Sequence, residues 1–207
     1  EIDLTTVVPS VLTTAGAIAG TFTWGPAEQV VLVDSEITLS KTFGTPDSNS
    51  AISFFTAANF LSYGNNLSVV RAVGTGARNA AANGTGVLIK NSDVFHASYL
   101  NSGAANAYGA FVSRFPGALG NSLSVTVIDT GNTAPVGSPA AGLFTSAPGT
   151  SDDVANHGGA NDEIHIAVVD AGGLFTGTKN TVLETFPFVS KASDAMNLGT
   201  GSSNYYK

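Results

Sequence analysis

The chain contains no cysteine, little charge and no long apolar run, and each absence removes a class of protein. Without cysteine, its 207 residues can form neither a disulfide framework nor a thiolate metal site. Only 11% of the residues are charged, and the net charge is −7. This balance disfavours nucleic-acid binding, which needs a basic face. No apolar run approaches the roughly 20 residues of a membrane-spanning helix, so we expect no membrane insertion.

The residues that are present fit a folded protein with one or two domains. The chain is long enough to bury a core. Low charge and a mean hydropathy of +0.21 favour a protein that lives inside a large assembly. A well-folded, low-charge extracellular protein is the alternative that this composition leaves open.

Residues 17–73 carry the clearest secondary-structure pattern. Val30–Val33 is an apolar run that suits a buried strand. Ser35 can cap a short helix that Gly44 ends, and residues 67–73 are rich in β-branched side chains. The order strand, strand, helix, helix, strand predicts a compact α/β layer.

The second helix of this layer is predicted between caps at residues 48–50 and a stop at Gly64. Its apolar face is predicted to consist of Ile52, Phe55, Phe60 and Leu61. Arg71, late in an apolar strand, is interpreted as a charge that reaches solvent or pairs with an acidic residue. Trp24 is interpreted as filling a core or an interface.

The remainder of the chain is predicted to be rich in β-structure. A turn at Pro116 and Gly117 precedes a predicted strand at residues 122–129, with Leu123, Val125 and Val127 on one side. Residues 130–159 are dominated by small and polar residues and are interpreted as a long loop. Residues 162–170 alternate between polar and apolar and then run apolar, and residues 181–188 form a second extended run after a glycine-rich turn, which predicts a hairpin or meander.

Three patterns could indicate chemistry, and each has a simpler explanation. Gly74 and Gly76 follow a strand, but Asn79 stands where a dinucleotide-binding loop has its third glycine. A group of possible metal ligands lacks a known spacing and is interpreted as a solvated acidic loop: Asp152, Asp153, His157, Asp162, Glu163 and His165. The histidines lie in separate contexts without a nucleophile elbow. We therefore predict no enzyme, no catalytic residues, no metal and no cofactor.

Several motifs, in order and at the right spacing, resemble those of contractile phage tail sheath proteins, most strongly those of T4-like myophages. They are AGTFTWGPAEQ at 19–29, TFG at 42–44, FLSYGNNLSVVRAV at 60–73 and PGALGNSL at 116–123. The resemblance covers the first third of the chain best. It marks these residues as the family motif: Trp24, Gly25, Pro26, Phe43, Gly44, Tyr63, Gly64, Arg71, Pro116, Gly117 and Gly120.

The resemblance implies a structural role. Sheath subunits stack helically around a tail tube and contract to drive it through the host envelope. The implied partners are other copies of the chain, the tube protein, and baseplate and tail terminator proteins, without nucleic acid. The implied location is the virion, after assembly in the host bacterial cytoplasm. An N-terminal arm is expected to pair with a neighbouring subunit through Ile2, Leu4, Val7 and Val8.

The implied fold class is α/β (α+β), a mixed sheet with flanking helices, a β-rich second lobe and an extended N-terminal arm. The expected divisions are the arm at 1–16, the first part of the core domain at 17–75, a short connection replacing an outer inserted domain at 76–109, and a β-rich middle domain at 110–207. The family continues past the position of Lys207, so we expect a fragment. A tailocin or secretion-system sheath, or a small nucleotide-binding α/β domain, remains an alternative.

Overall fold

The computed structural model describes residues 14–82, 84–100 and 109–206. They divide into two compact units, the first ending at Gly120 and the second beginning at Asn121. Each unit has one three-stranded sheet, in agreement with the predicted mixed α/β content. The four predicted family divisions stay predictions, and the arm residues Ile2, Leu4, Val7 and Val8 lie outside the described residues.

The first unit follows the predicted order of strands and helices. Strand β1 spans Ala15–Gly20, β2 spans Val30–Val33, helix α1 spans Glu36–Phe43, α2 spans Ala51–Leu61 and β3 spans Asn66–Arg71. The sheet order is β1-β3-β2. Strand β3 is parallel to β1 and antiparallel to β2, so the sheet is mixed.

The core of the first unit lies between this sheet and its two helices. It consists of Phe22, Val33, Leu39, Phe43, Phe54, Ala57, Leu67 and Val69. The predicted ends of α1 are confirmed. The Ser35 hydroxyl accepts a hydrogen bond from the Thr38 amide at 3.3 Å, and Gly44 follows the helix with a φ of 79°.

The predicted apolar face of α2 is wrong in part. Phe54 and Ala57 are the buried residues of this helix, whereas Ile52 and Phe55 are exposed. Almost every position of α2 is apolar or small, so the sequence pattern does not distinguish its inner side from its outer side. Ser50 precedes the helix without a side-chain cap. Its hydroxyl and amide instead bond the Asp47 carboxylate.

The segment after β3 is more ordered than its composition suggests. Helix α3 spans Ser92–Ser98, which the sequence analysis did not predict, and the Asn91 side chain caps it. Asn79 is fully buried. Its side-chain amide donates to the carbonyl oxygens of Ile89 and Ser113, and its side-chain oxygen accepts from the Ile89 amide. One asparagine therefore ties three loop segments together.

The second unit is an antiparallel meander, as predicted. Strand β4 spans Leu123–Asp129, β5 spans Glu163–Asp170 and β6 spans Thr181–Ser190, in the order β4-β5-β6. A 3-10 turn at Ala118–Ser122 leads into β4. The predicted strand at residues 122–129 is confirmed as β4, in which Val127 is exposed and Ile128 is buried.

The loop between β4 and β5 contains one turn of helix, α4 at Asp152–Asn156. Asp162 fixes its start. The carboxylate accepts hydrogen bonds from the amide and hydroxyl of Ser151, which caps α4, and from the hydroxyl of Ser190. Burial would raise the pKa of Asp162, but the bonds from Ser190 and Ser151 outweigh it and the pKa is lowered.

Candidate functional site

Arg71 is the centre of the motif residues in the first unit. Its side chain is only 4% exposed, and no ion pair involving it occurs in the described part of the chain. Nε donates to the Phe22 carbonyl at 2.9 Å and Nη1 to the Gly25 carbonyl at 2.8 Å. Burial lowers the pKa of Arg71 to about 10, so it stays protonated at neutral pH.

The interpretation of Arg71 as a solvent-facing or acid-paired charge is therefore wrong. A signal for its burial does exist in the sequence. Leu67, Val69 and Arg71 occupy alternate positions of β3, and all three are buried. The strand period alone places the arginine on the core side.

Gly25 lets the Trp24–Pro26 turn approach the end of α1. Its φ is 97°, a conformation that residues with a side chain rarely adopt. A Cβ atom on Gly25 would lie 2.6 Å from the carbonyl oxygen of Thr42 and 2.9 Å from the Phe43 ring. The turn needs glycine for both its backbone conformation and its space.

The end of α1 is bonded back to the same turn. The Trp24 amide donates to the Phe43 carbonyl at 3.0 Å. The Thr23 hydroxyl donates to the carbonyls of Phe43 and Thr45. Gly44 lies against Thr23 and the Trp24 Cβ, so a side chain at position 44 would collide with them.

The Pro116–Gly117 motif reaches this turn from the far end of the unit. A Cβ atom on Gly117 would lie 3.0 Å from the Thr23 carbonyl oxygen and 3.2 Å from Nη2 of Arg71. Phe115 contacts the Trp24 ring edge-on, with 5.6 Å between centroids. The predicted turn thus packs directly against the arginine.

We call this arrangement the Arg71 junction. It consists of residues 22–26, 42–45, 71 and 115–117, four segments that are far apart in the sequence. Eight of the eleven motif residues belong to the junction: Trp24, Gly25, Pro26, Phe43, Gly44, Arg71, Pro116 and Gly117. The contacts within the junction are hydrogen bonds to backbone carbonyls, an edge-on contact between aromatic rings and close approaches at its glycines. The junction therefore holds the four segments together.

The other three motif residues have different surroundings. Gly64 and Tyr63 contact Phe60, with 5.6 Å between the Phe60 and Tyr63 ring centroids, and Tyr63 is exposed. Gly120 lies against Ser113, because a Cβ atom there would come within 2.7 Å of the Ser113 hydroxyl. Gly120 is nevertheless joined to the junction, because its amide donates to the Gly117 carbonyl at 3.2 Å.

The possible metal ligands are dispersed in the second unit. Asp162 accepts hydrogen bonds from Ser151, the capping residue of α4, and Glu163 accepts a bond from the Gly149 amide. His165 is buried: one ring nitrogen bonds the Ser146 carbonyl, the other accepts from the Phe188 amide, and the ring stacks on Phe144. Within residues 14–82, 84–100 and 109–206, no three ligand side chains are arranged to hold a metal ion.

Sequence reasoning missed the most heavily bonded carboxylate, Asp170 at the end of β5. It is fully buried and accepts hydrogen bonds from the hydroxyls of Ser122 and Thr176 and from four consecutive amides, those of residues 173–176. Burial would raise the pKa of Asp170, but the bonds led by that from Ser122 lower it to about 2. Its role is to hold the turn after β5.

The Gly74–Gly76 pattern forms a plain turn. The Ala77 amide donates to the Gly74 carbonyl, and the next helix is α3, beginning at Ser92. A Cβ atom on either glycine would meet open space, so the loop is not shaped by close packing. Among the helices of the described residues, none is both long and apolar enough to cross a membrane.

Comparisons with known proteins find matches among phage tail sheath proteins. Residues 13–72 match the model of the tail sheath protein Gp18 domain III N-terminal region. The chain is 49% identical to the tail sheath protein of Enterobacteria phage T4 over 76 residues, which cover 35% of this chain and 12% of that protein. It is 34% identical to the tail sheath protein of Salmonella phage ViI over 176 residues, 84% of this chain and 25% of that protein.

A third relative is the tail sheath protein of Vibrio phage KVP40, 45% identical over 71 residues, 34% of this chain and 11% of that protein. The chain therefore spans a quarter or less of the length of each of these relatives. The family match on residues 13–72 coincides with the β1-to-β3 part of the first unit.

Proposed function

We propose that this chain, whose resemblance to phage tail sheath proteins is confirmed by these matches, acts as a structural subunit of a contractile tail sheath. The observation that carries the proposal is the family match on residues 13–72, the segment that supplies Arg71 and most of the junction. The full protein would polymerise helically around a tail tube and contract to drive the tube through the host envelope.

The Arg71 junction supports this role because contraction needs subunits that move as bodies. Its guanidinium group bonds two carbonyls of a turn 46 and 49 residues away in the sequence. Such long-range bonds keep the first unit intact while its outer contacts change. Interfaces that exchange one set of contacts for another give a bistable lattice, in which energy stored at assembly is released on contraction.

The edges of the sheets support a second part of the proposal. In the described residues, β1 and β2 are the outer strands of one sheet, and β4 and β6 are those of the other. An outer strand can accept a further strand through main-chain hydrogen bonds. We propose that Ile2, Leu4, Val7 and Val8 of one subunit form such a strand on another, which keeps subunits linked as they rotate.

The remaining partners follow from the same proposal. The subunit would contact further copies of itself, the tail tube protein, and the baseplate and tail terminator proteins. An open helical array requires heterologous interfaces, in which different surfaces of two copies meet. The protein would be assembled in the host cytoplasm and reside in the virion, without cofactor or nucleic acid.

Negative-stain electron microscopy of the full-length protein, purified alone, tests the proposal. We expect long striated tubes at high protein concentration in moderate salt. Discrete monomers or small closed oligomers under those conditions would contradict a sheath role. They would favour the binding-domain alternative, which titration with ATP or NAD would then examine.

A further inference from the structure

The guanidinium group of Arg71 has hydrogen-bond donors that the junction does not use. An arginine side chain carries five N–H donors, and Arg71 uses one on Nε for the Phe22 carbonyl and one on Nη1 for the Gly25 carbonyl. Among the described residues, Nη2 has no acceptor. In the same part of the chain, no fully buried side-chain nitrogen or oxygen lacks a hydrogen-bond partner, so Nη2 reaches the surface.

Gly117 leaves this edge of the guanidinium group uncovered. A Cβ atom at position 117 would lie 3.2 Å from Nη2 of Arg71 and 3.0 Å from the Thr23 carbonyl oxygen. Both Thr23 and Gly117 are half-buried, so this place is close to the surface of the first unit. A side chain at position 117 would stand against Nη2, and the glycine therefore keeps Nη2 accessible to a group from outside the unit.

The charge of Arg71 is not neutralised by the acidic side chains that the structure describes. None of them forms an ion pair with Arg71. Glu28, just after the turn, pairs with Lys90 at 2.6 Å, and the Asp47 carboxylate holds Ser50. Burial removes the water that stabilises a cation, and it lowers the pKa of Arg71 to about 10. A buried charge without a counter-ion is costly, so an anion at Nη2 would stabilise this group.

Arg78 shows what distinguishes Arg71. Its Nη1 also donates to two backbone carbonyls, those of Thr75 at 2.8 Å and Ala77 at 2.7 Å. Arg78 is exposed, however, so water solvates the rest of its guanidinium group. Arg71 makes the same number of bonds to carbonyls while its side chain is only 4% exposed. The need for a counter-ion is therefore specific to the buried arginine.

We propose that Nη2 of Arg71 binds the carboxylate of an aspartate or glutamate from outside the described first unit. A carboxylate carries a single charge and lies in the plane of the guanidinium edge, which suits an opening this narrow. The carbonyl oxygens of Phe22, Thr23 and Gly25 surround the group with partial negative charge. They disfavour a doubly charged anion such as phosphate.

The acid has two sources with the same chemistry. One is another part of the full-length protein, and the other is a neighbouring copy of it. In both cases the ion pair would couple the Arg71 junction to the segment that supplies the acid. The binding site itself is argued from the geometry of the junction, and only the neighbouring copy as a source rests on the proposed sheath function.

Solid-state nuclear magnetic resonance of the full-length protein tests the pair. With ¹⁵N in arginine and ¹³C in the side-chain carboxyl groups, we expect a carboxyl carbon about 3.5–4 Å from Nη2 of Arg71. A ¹³C label in phenylalanine carbonyls identifies Arg71, because its Nε bonds the Phe22 carbonyl at 2.9 Å, and Arg71→Lys should remove the signal. No carboxyl carbon within about 6 Å of Nη2, or an equally strong contact at the control Arg78, would overturn the proposal.

Two further samples distinguish the sources. Tubes assembled from a mixture of ¹⁵N-labelled and ¹³C-labelled subunits show only contacts between copies. Doubly labelled subunits diluted into a large excess of unlabelled ones show only contacts within one chain. A protein that forms no tubes contradicts the sheath function, but its doubly labelled sediment still tests the site. A contact in either sample supports the proposal, and a contact in neither overturns it.

Replacing the identified acid by its amide gives a second readout. The amide removes the charge and keeps the shape of the side chain. We expect the Nη2 hydrogens of Arg71 to exchange with solvent at least about tenfold faster in this variant, because a charge-assisted hydrogen bond is lost. The Nε hydrogen, bonded to the Phe22 carbonyl, is the internal control and should change less. Unchanged exchange at Nη2 would show that the carboxylate is only a neighbour, which overturns the proposal.

Discussion

Replacing Arg71 with methionine removes two hydrogen bonds from the centre of the junction. The guanidinium group donates to the carbonyl oxygens of Phe22 and Gly25, at 2.9 and 2.8 Å. Bonds with a charged donor contribute about 1.5–3 kcal/mol each, and both carbonyls would lose this partner. The desolvation that lowers the arginine's pKa also disappears, which offsets part of the loss. We expect a net destabilisation of about 2–3 kcal/mol.

Hydrogen exchange of the full-length protein measures this change locally. The amides of Trp24 and Ala27 bond the carbonyls of Phe43 and Lys90, so they report on opening of the turn. A loss of about 2–3 kcal/mol corresponds to exchange about 30- to 150-fold faster. Arg71→Lys keeps the charge but cannot span both carbonyls, and should give an intermediate rate. Exchange within threefold of wild type in Arg71→Met would refute the reasoning.

Three further perturbations have defined outcomes. Gly25→Ala should abolish ordered folding of the turn, because its φ is 97° and the Thr42 carbonyl leaves no space, whereas Gly74→Ala should melt within 1 °C or so of wild type. The pKa of Asp170 is lowered to about 2 from 3.8, so the carboxylate's contribution to the free energy of unfolding is present above pH 3.8 and is lost as the pH falls towards 2. Asp170→Asn should lack this contribution at every pH, so its melting temperature should change less between pH 4 and pH 2 than that of the wild type. Deleting residues 1–8 should prevent tube formation while circular dichroism shows a folded core; normal tubes from the deletion would contradict the arm proposal.

Local signals made the first unit predictable. The apolar run at Val30–Val33, the Ser35 cap and Gly44 are each decided within a few residues, and the strand and helix order that they predict is confirmed. The same holds for the antiparallel pair of β5 and β6, two extended runs on either side of a glycine-rich turn. Rules that consider only a few adjacent residues were sufficient where those residues determine the local conformation.

Long-range partners made the site unpredictable in detail. The carbonyl oxygens that accept hydrogen bonds from Arg71 belong to the turn around Trp24. Gly117, which follows Arg71 by 46 residues in the sequence, lies close to the same guanidinium group. Sequence motifs marked these residues but did not show that they meet. Likewise, nothing near Asn79 indicates that its amide joins Ile89 and Ser113.

The faces of α2 illustrate a different difficulty. Ile52 and Phe55 are as apolar as Phe54, so hydrophobicity could not select the buried side. The uniformly apolar pattern of α2 is therefore the feature that misled the prediction.

Helical cryo-electron microscopy of tubes formed by the full-length protein tests the central claim most directly. We predict one copy of the β1-to-β3 unit per lattice subunit, with the Arg71 guanidinium group bonded to the Phe22 and Gly25 carbonyls in both the extended and the contracted state. A lattice in which Arg71 has turned to solvent, or a preparation that yields only discrete particles, would contradict the account.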